Sequence, residues 1–157
     1  MHPGLLLSVQ VIAQAMVSVL SAVLVMAVAT LAFGYAPAGS VLALVGTYIL
    51  VMTSIFAIGL VIASTARDIK RAGMIASLVY FPMLIFSGTT VPFPVFPDFV
   101  QKAASILPLR HGIELLTAAS LGAPLAPLWP QVTVLTVVAI VGIAVSLRTF
   151  RWEMNDV

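Results

Sequence analysis

The sequence predicts an all-α integral membrane protein with four transmembrane helices and an outer-face re-entrant or interfacial helical hairpin before the last span. The first observation behind this is composition. Hydrophobic residues make up 62% of the 157 and charged residues 8%, with a mean hydropathy of +1.20. Soluble domains carry roughly a quarter charged residues, and seven basic and five acidic side chains could not cover a soluble surface of this size. The second observation is a series of long uncharged runs. The third is a proline-rich stretch, residues 86–121, too polar for an ordinary span and too apolar for an ordinary loop.

The net charge of +2 does not read as a nucleic-acid footprint. The few basic residues gather at the ends of apolar runs, the placement that sets topology in a bilayer. The expected partner is therefore lipid, with no nucleic acid. The chain has no cysteine, which excludes disulfides, thiolate nucleophiles and Cys-ligated metals.

Residues 5–33 hold no charge, and their polar members are only Ser, Gln and Thr. About 20 residues cross a hydrocarbon core of about 30 Å, so this run is a span. The small-x-small triplet Ala36-Pro37-Ala38 offers a signal-peptide reading. The opening MHPG has no Lys or Arg, however, and the run exceeds the usual 7–15 residues or so. Residues 34–40 (GYAPAGS) form a short turn joining antiparallel helices. The second span is Val41–Thr65. Arg67, Asp68, Lys70 and Arg71 then arrive together, and their basic excess marks a cytoplasmic helix end. The third span, residues 72–88, is short and contains Pro82. The fourth, residues 127–147, follows a loop with Trp129 in an aromatic-belt position and ends at Arg148 and Arg151.

With the N-terminus inside, five of the seven basic residues (Arg67, Lys70, Arg71, Arg148 and Arg151) face the cytoplasm, and Lys102 and Arg110 face outward. The expected location is the cell membrane, multi-pass, with both termini cytoplasmic. Small residues recur at helical spacing as Ser18/Ala22, Gly59/Ala63, Gly73/Ser77 and Gly142/Ser146. Such pairs allow close helix approach in lipid, within a bundle or between two copies.

The hairpin is expected over residues 92–121. Pro92, Pro94 and Pro97 exclude a helix through their stretch. Asp98 starts a short helix, with its carboxylate near the positive end of the dipole. That helix, residues 99–107, sets Phe99, Ala103 and Ile106 on one face, and Pro108 breaks it. A second helix runs over residues 109–121 to Gly122, a usual C-terminal stop. About 10 residues reach only some 15 Å, so neither helix spans alone. Irregular backbone at membrane depth needs cover from protein or water, which points to a re-entrant or interfacial pair.

The succession SGTTVPFPVFPDFVQKAASILPLRHGIELLTAASLG resembles the region before the last span of ABC type-2 permeases, the membrane subunits of ATP-driven exporters of drugs, lipids and polysaccharides. The shared order is a small-residue turn at Ser87-Gly88, an apolar Pro-rich stretch and a short helix. It continues through the Leu107-Pro108 break, a second helix and a final span closed by basic residues. The resemblance implies a permease working as a homo- or heterodimer with a separate ABC ATP-binding subunit. It implies ATP and Mg on that subunit and no cofactor bound by this chain. Permeases of this family usually carry six spans, and the four here would match the last four, with Met1 where the third would begin. The chain then reads either as part of a six-span permease or as a divergent short relative.

The candidate outer gate comprises Pro92, Pro97, Pro108, His111 and Glu114. His111 and Glu114 lie three apart on one helical face, where they could hold a metal or relay protons. The plainer reading pairs Arg110 with Glu114 at i,i+4 as interfacial polar residues. Two ligands are too few for a zinc site, and His2 is at the far terminus. Arg67, Asp68, Lys70 and Arg71 are topology anchors or a cytoplasmic contact for the ATPase. No GxxxxGK[ST] run is present, so ATP hydrolysis would belong to the partner. No HExxH, GxSxG or carboxylate cluster points to an enzyme. A non-transporting membrane scaffold or assembly protein is the alternative function.

Overall fold

A computed structural model describes residues 3–66, 68–89 and 95–149. Among them the chain is helical, with α1 (Pro3–Phe33), α2 (Val41–Thr65), α3 (Ile69–Phe86), α4 (Asp98–Ala104), α5 (Pro108–Leu121) and α6 (Trp129–Thr149). A 3-10 turn, Ala126–Leu128, leads into α6. Four stretches are long and apolar enough to cross a membrane: Val11–Phe33, Val41–Thr65, Ile69–Phe86 and Ala126–Thr149. Large apolar side chains such as Leu42, Leu78 and Leu147 stand more than 70% exposed on them. In water such a surface would aggregate; in hydrocarbon it is the solvated state. The molecule is an all-α, multi-pass membrane protein.

The chain divides into two units, Met1–Pro37 and Ala38–Val157. The first is built on α1, whose 31 residues would extend about 46 Å. Gly34 ends it in the left-handed region at φ +65°. There Gly34 N–H donates to the Thr30 carbonyl at 3.1 Å and Tyr35 N–H to the Ala29 carbonyl at 3.0 Å.

The second unit is centred on α2, α5 and α6, whose buried Val51, Leu115 and Leu135 meet in one cluster. The α2–α6 seam is made of small residues. Ser54 and Ala57 on α2 face Ala139, Gly142 and Ser146 on α6, all buried. A Cβ on Gly142 would stand 2.8 Å from that of Ala57, so only glycine permits this approach. The seam also carries hydrogen bonds. Ser54 Oγ donates to the Leu135 carbonyl at 2.8 Å and Ser146 Oγ to the Leu60 carbonyl at 3.4 Å. Lipid tails are as apolar as leucine, so close packing and such bonds hold spans together. Of the four small-residue pairs noted in the sequence, Gly142/Ser146 lies in this seam, whereas Gly59 and Gly73 face open space.

Hydroxyls elsewhere in the spans turn back on their own helix. Thr47 donates to the Ala43 carbonyl at 2.9 Å, Thr53 to Ile49 at 2.7 Å and Thr136 to Val132 at 2.7 Å. Each removes a polar group from contact with hydrocarbon.

Candidate functional site

The α4–α5 pair is the least ordinary part of the second unit. Its lead-in is fixed by the end of α3, where Gly88 takes φ +92° and the buried Ser87 hydroxyl donates to the Leu84 carbonyl at 2.7 Å. The rings of Phe86 and Phe96 then meet edge to face at 5.6 Å. Pro97, not Asp98, is the residue before α4. Its ring cannot donate a hydrogen bond, and Asp98 takes the first helical position. Gln101 Nε2 reaches back to the Phe96 carbonyl at 2.8 Å. Pro92 lies outside the described residues.

α4 ends at Ala104, three residues earlier than the 99–107 helix read from the sequence. The Phe99–Ala103–Ile106 face is outward, with Phe99 75% and Ile106 77% exposed. Buried Ala104 marks the side that packs inward.

Pro108 opens α5 rather than merely interrupting a helix. It occupies the start of α5 behind an extended Leu107 at ψ 123°, where its missing N–H costs nothing. The two helices are stapled across the break by His111, whose Nε2 meets the Ser105 carbonyl at 2.8 Å. A carbonyl can only accept, so Nε2 carries the proton. His111 thereby caps the C-terminal end of α4 from the first turn of α5.

One turn on, Arg110 Nη2 lies 2.7 Å from Glu114 Oε1, and Gln131 Nε2 of α6 donates to Glu114 Oε2 at 3.1 Å. The i,i+4 pair expected from the sequence is thus the base of a three-residue network reaching the last span. Among the described residues, His111 Nδ1 and Gln131 Oε1 are buried and have no hydrogen-bond partner. Among the described residues no three His, Cys, Asp or Glu side chains come together as a metal site.

The register of α5 on α2 sets where this network lies along α2. A Cβ on Gly112 would stand 2.8 Å from Val51 Cγ1, and Val51 is ten residues, about 15 Å, into α2. Leu109 shares a groove with Ile55 and Ile58, beyond the midpoint of α2. At its other end α5 meets the segment before α2. Ala38 N–H donates to the Ser120 carbonyl at 3.0 Å, and a Cβ on Gly39 would overlap the Ala119 carbonyl. Gly122 closes the helix at φ +71°. Thus α5 runs antiparallel to α2, with its first turn near the middle of that span and its last turn at the span's beginning. Arg110, His111 and Glu114 therefore sit beside the membrane-crossing part of α2. Ionisable groups at such depth are costly and need partners, which the network supplies.

The charged cluster at the opposite end of α2 is divided in role. Asp68 Oδ1 accepts from the Arg71 N–H at 2.7 Å and caps α3, while Asp68 Oδ2 pairs with Arg71 Nε at 3.2 Å. Lys70 is exposed and makes no ion pair among the described residues. Arg67 lies outside them.

A family model described as ABC-2 type transporter matches residues 1–121, which include α1 to α5. The chain belongs to the ABC-2 type transporter family. Among curated relatives, Nodulation protein J of Rhizobium leguminosarum bv. viciae is 32% identical over 60% of this chain and 36% of its own length. The inner membrane transport permease YhhJ of Escherichia coli (strain K12) is 31% identical over 66% of this chain and 28% of its own. Nodulation protein J of Bradyrhizobium diazoefficiens is 32% identical over 75% of this chain and 45% of its own. The chain thus spans less than half the length of these relatives. No solved structure matches it significantly.

Sequence reasoning did not single out Gln131, Ser54, Gly112 or Gly39. Gln131 carried a faint signal as the lone amide in the α6 run. The other three depend on which helix lies opposite.

Proposed function

We propose that this ABC-2 family chain is the membrane permease subunit of an ATP-driven exporter of drugs, lipids or polysaccharides. It would pair with a separate ATP-binding subunit and a second permease copy, as a homo- or heterodimer. ATP and Mg2+ belong to the partner in this reading, and this chain binds no cofactor. The family match over residues 1–121 carries the proposal, and the permease name of one relative agrees with it. The orientation rests on the count of basic residues: both termini cytoplasmic in the cell membrane, with the α4–α5 pair entering from the outer face.

In this reading, ATP-driven closure of the partner rocks helix bundles between inward- and outward-open states, and the α4–α5 pair caps or lines the outer exit. The packing of α5 against α2 and α6 supports motion of α5 together with those spans rather than as a loose flap. Asp68, Lys70, Arg71 and Arg67 are the candidate cytoplasmic contact for the ATPase.

Affinity purification from native membranes tests the assignment. Co-purification of a Walker-motif ATPase, lost when Lys70 and Arg71 are both replaced by Glu, is the expected result. A chain that purifies without any ATPase under conditions that preserve complexes would instead favour the scaffold reading.

A further inference from the structure

The short segment of α4 and its last turn presents three different sides. Asp98, Lys102 and Ser105 fall at i, i+4 and i+7, on one side, and all three are exposed. Phe99, Ala103 and Ile106 make a second exposed side, apolar, with Phe99 and Ile106 more than 70% exposed. Buried Ala104 marks the third. Asp98 and Lys102 stand at the spacing of a helical ion pair, yet neither makes an ion pair among the described residues.

The place of this segment along α2 makes its polar side unusual. The Ser105 carbonyl is bonded to His111, the neighbour of Gly112, which stands against Val51, about 15 Å from the start of α2. Lys102 is one helical turn from Ser105, about 5 Å. Even with α4 aimed straight at the start of α2, the Lys102 backbone therefore lies about 10 Å inside that end of the span. Ionisable groups at such a level face protein or water rather than hydrocarbon. The rest of the chain does not cover Lys102 or Asp98, since both are exposed. A lysine can stretch toward the headgroups along its methylenes, but Asp98 and Ser105 on the same side have no such stem.

We propose that the Asp98–Lys102–Ser105 side of α4 lines a water-filled recess within the membrane, while Phe99 and Ile106 face lipid. Small hydrophilic solutes reach Ser105 through it, and the carboxylate and ammonium stay solvated there instead of pairing. The recess depends on the fold and the bilayer, and not on whether the chain exports anything.

The chain has no cysteine, so single-cysteine variants of the full chain in nanodiscs report without background. Lys102→Cys and Ser105→Cys should react with a charged thiosulfonate at least several-fold faster than Phe99→Cys, Ile106→Cys and Ile140→Cys, an exposed mid-span reference on α6. Depth is read separately, with an environment-sensitive fluorophore on Phe99→Cys. A phospholipid bearing a nitroxide midway along its acyl chain should quench it more than one bearing the nitroxide on its headgroup. Reaction at residues 102 and 105 as slow as at the reference would overturn the proposal, because lipid or another subunit would then cover that side. Stronger quenching from the headgroup would overturn it too, placing α4 flat on the membrane surface, where its polar side is wet without any recess.

Discussion

The hydroxyl of Ser54 donates to the carbonyl of Leu135 at 2.8 Å, across the seam between α2 and α6. It also reaches the Leu50 carbonyl of its own helix at 2.8 Å, so one buried side chain serves two helices. Ser54→Ala should destabilise the fold by about 0.6 kcal/mol, up to about 1.7 kcal/mol, the range for interhelical bonds in membranes. Gly142→Leu, which forces side chain into the Ala57 contact, should cost more, about 1–3 kcal/mol. Thermal unfolding in detergent, followed by circular dichroism, would order the variants as wild type, Ser54→Ala, Gly142→Leu. A Gly142→Leu variant as stable as wild type would contradict the seam.

Gly112 and Val51 supply a steric pair for a double-mutant cycle. Gly112→Ala alone places a Cβ against Val51 and should destabilise by about 1 kcal/mol or more. Val51→Ala alone leaves a cavity. Together they should cost less than the sum, with a coupling of about 0.5–3 kcal/mol. Strict additivity would place α5 away from the middle of α2.

The Arg110–Glu114–Gln131 network predicts non-additive charge effects. Glu114→Gln leaves the guanidinium of Arg110, 15% exposed, without its countercharge. Arg110→Gln leaves the carboxylate with only an amide. Each single variant should be less stable than the Arg110→Gln/Glu114→Gln double variant. Measured by the same melts, a double variant that is merely the sum of the singles would argue against a partnered charge at this depth.

The break between α4 and α5 rests on Pro108 and on the His111 staple. His111→Ala removes the hydrogen bond to the Ser105 carbonyl and should cost about 1 kcal/mol, with His111→Gln recovering part of it. Pro108→Ala lifts the restriction on Leu107, and with His111→Ala it should let one helix run through. Amide exchange over residues 105–110 reads this directly. Protection should fall in His111→Ala and rise in the double variant if the helices fuse. If the chain serves in export as proposed, fusion should impair that export while leaving membrane insertion intact.

The spans were legible because they are written in composition: uncharged runs bounded by Arg67 to Arg71 or by Gly34 need no knowledge of neighbours. The two short helices after α3 were legible because proline and glycine act locally. The expected break is present, and Pro108 itself takes the first position of the second helix, since that position tolerates its missing N–H. The Arg110–Glu114 pair followed from helical spacing alone. Gln131 did not, because its partner lies seventeen residues away on another helix. Nor could sequence rank Gly142 above Gly73, which differ only in having or lacking an opposing wall.

The junction between α5 and the start of α2 consists of main chain on main chain: the Ala38 N–H on the Ser120 carbonyl, with Gly39 and Gly122 laid against the opposing backbone. A joint of this kind has no side-chain rotamers to absorb displacement. It behaves as a rigid strut, so a push on the last turn of α5 is delivered to the first turn of α2 with little slack. Conversely, a tilt of α2 must carry the end of the hairpin with it. Longer side chains at Gly39 or Gly122 would loosen that transmission before they altered any chemistry.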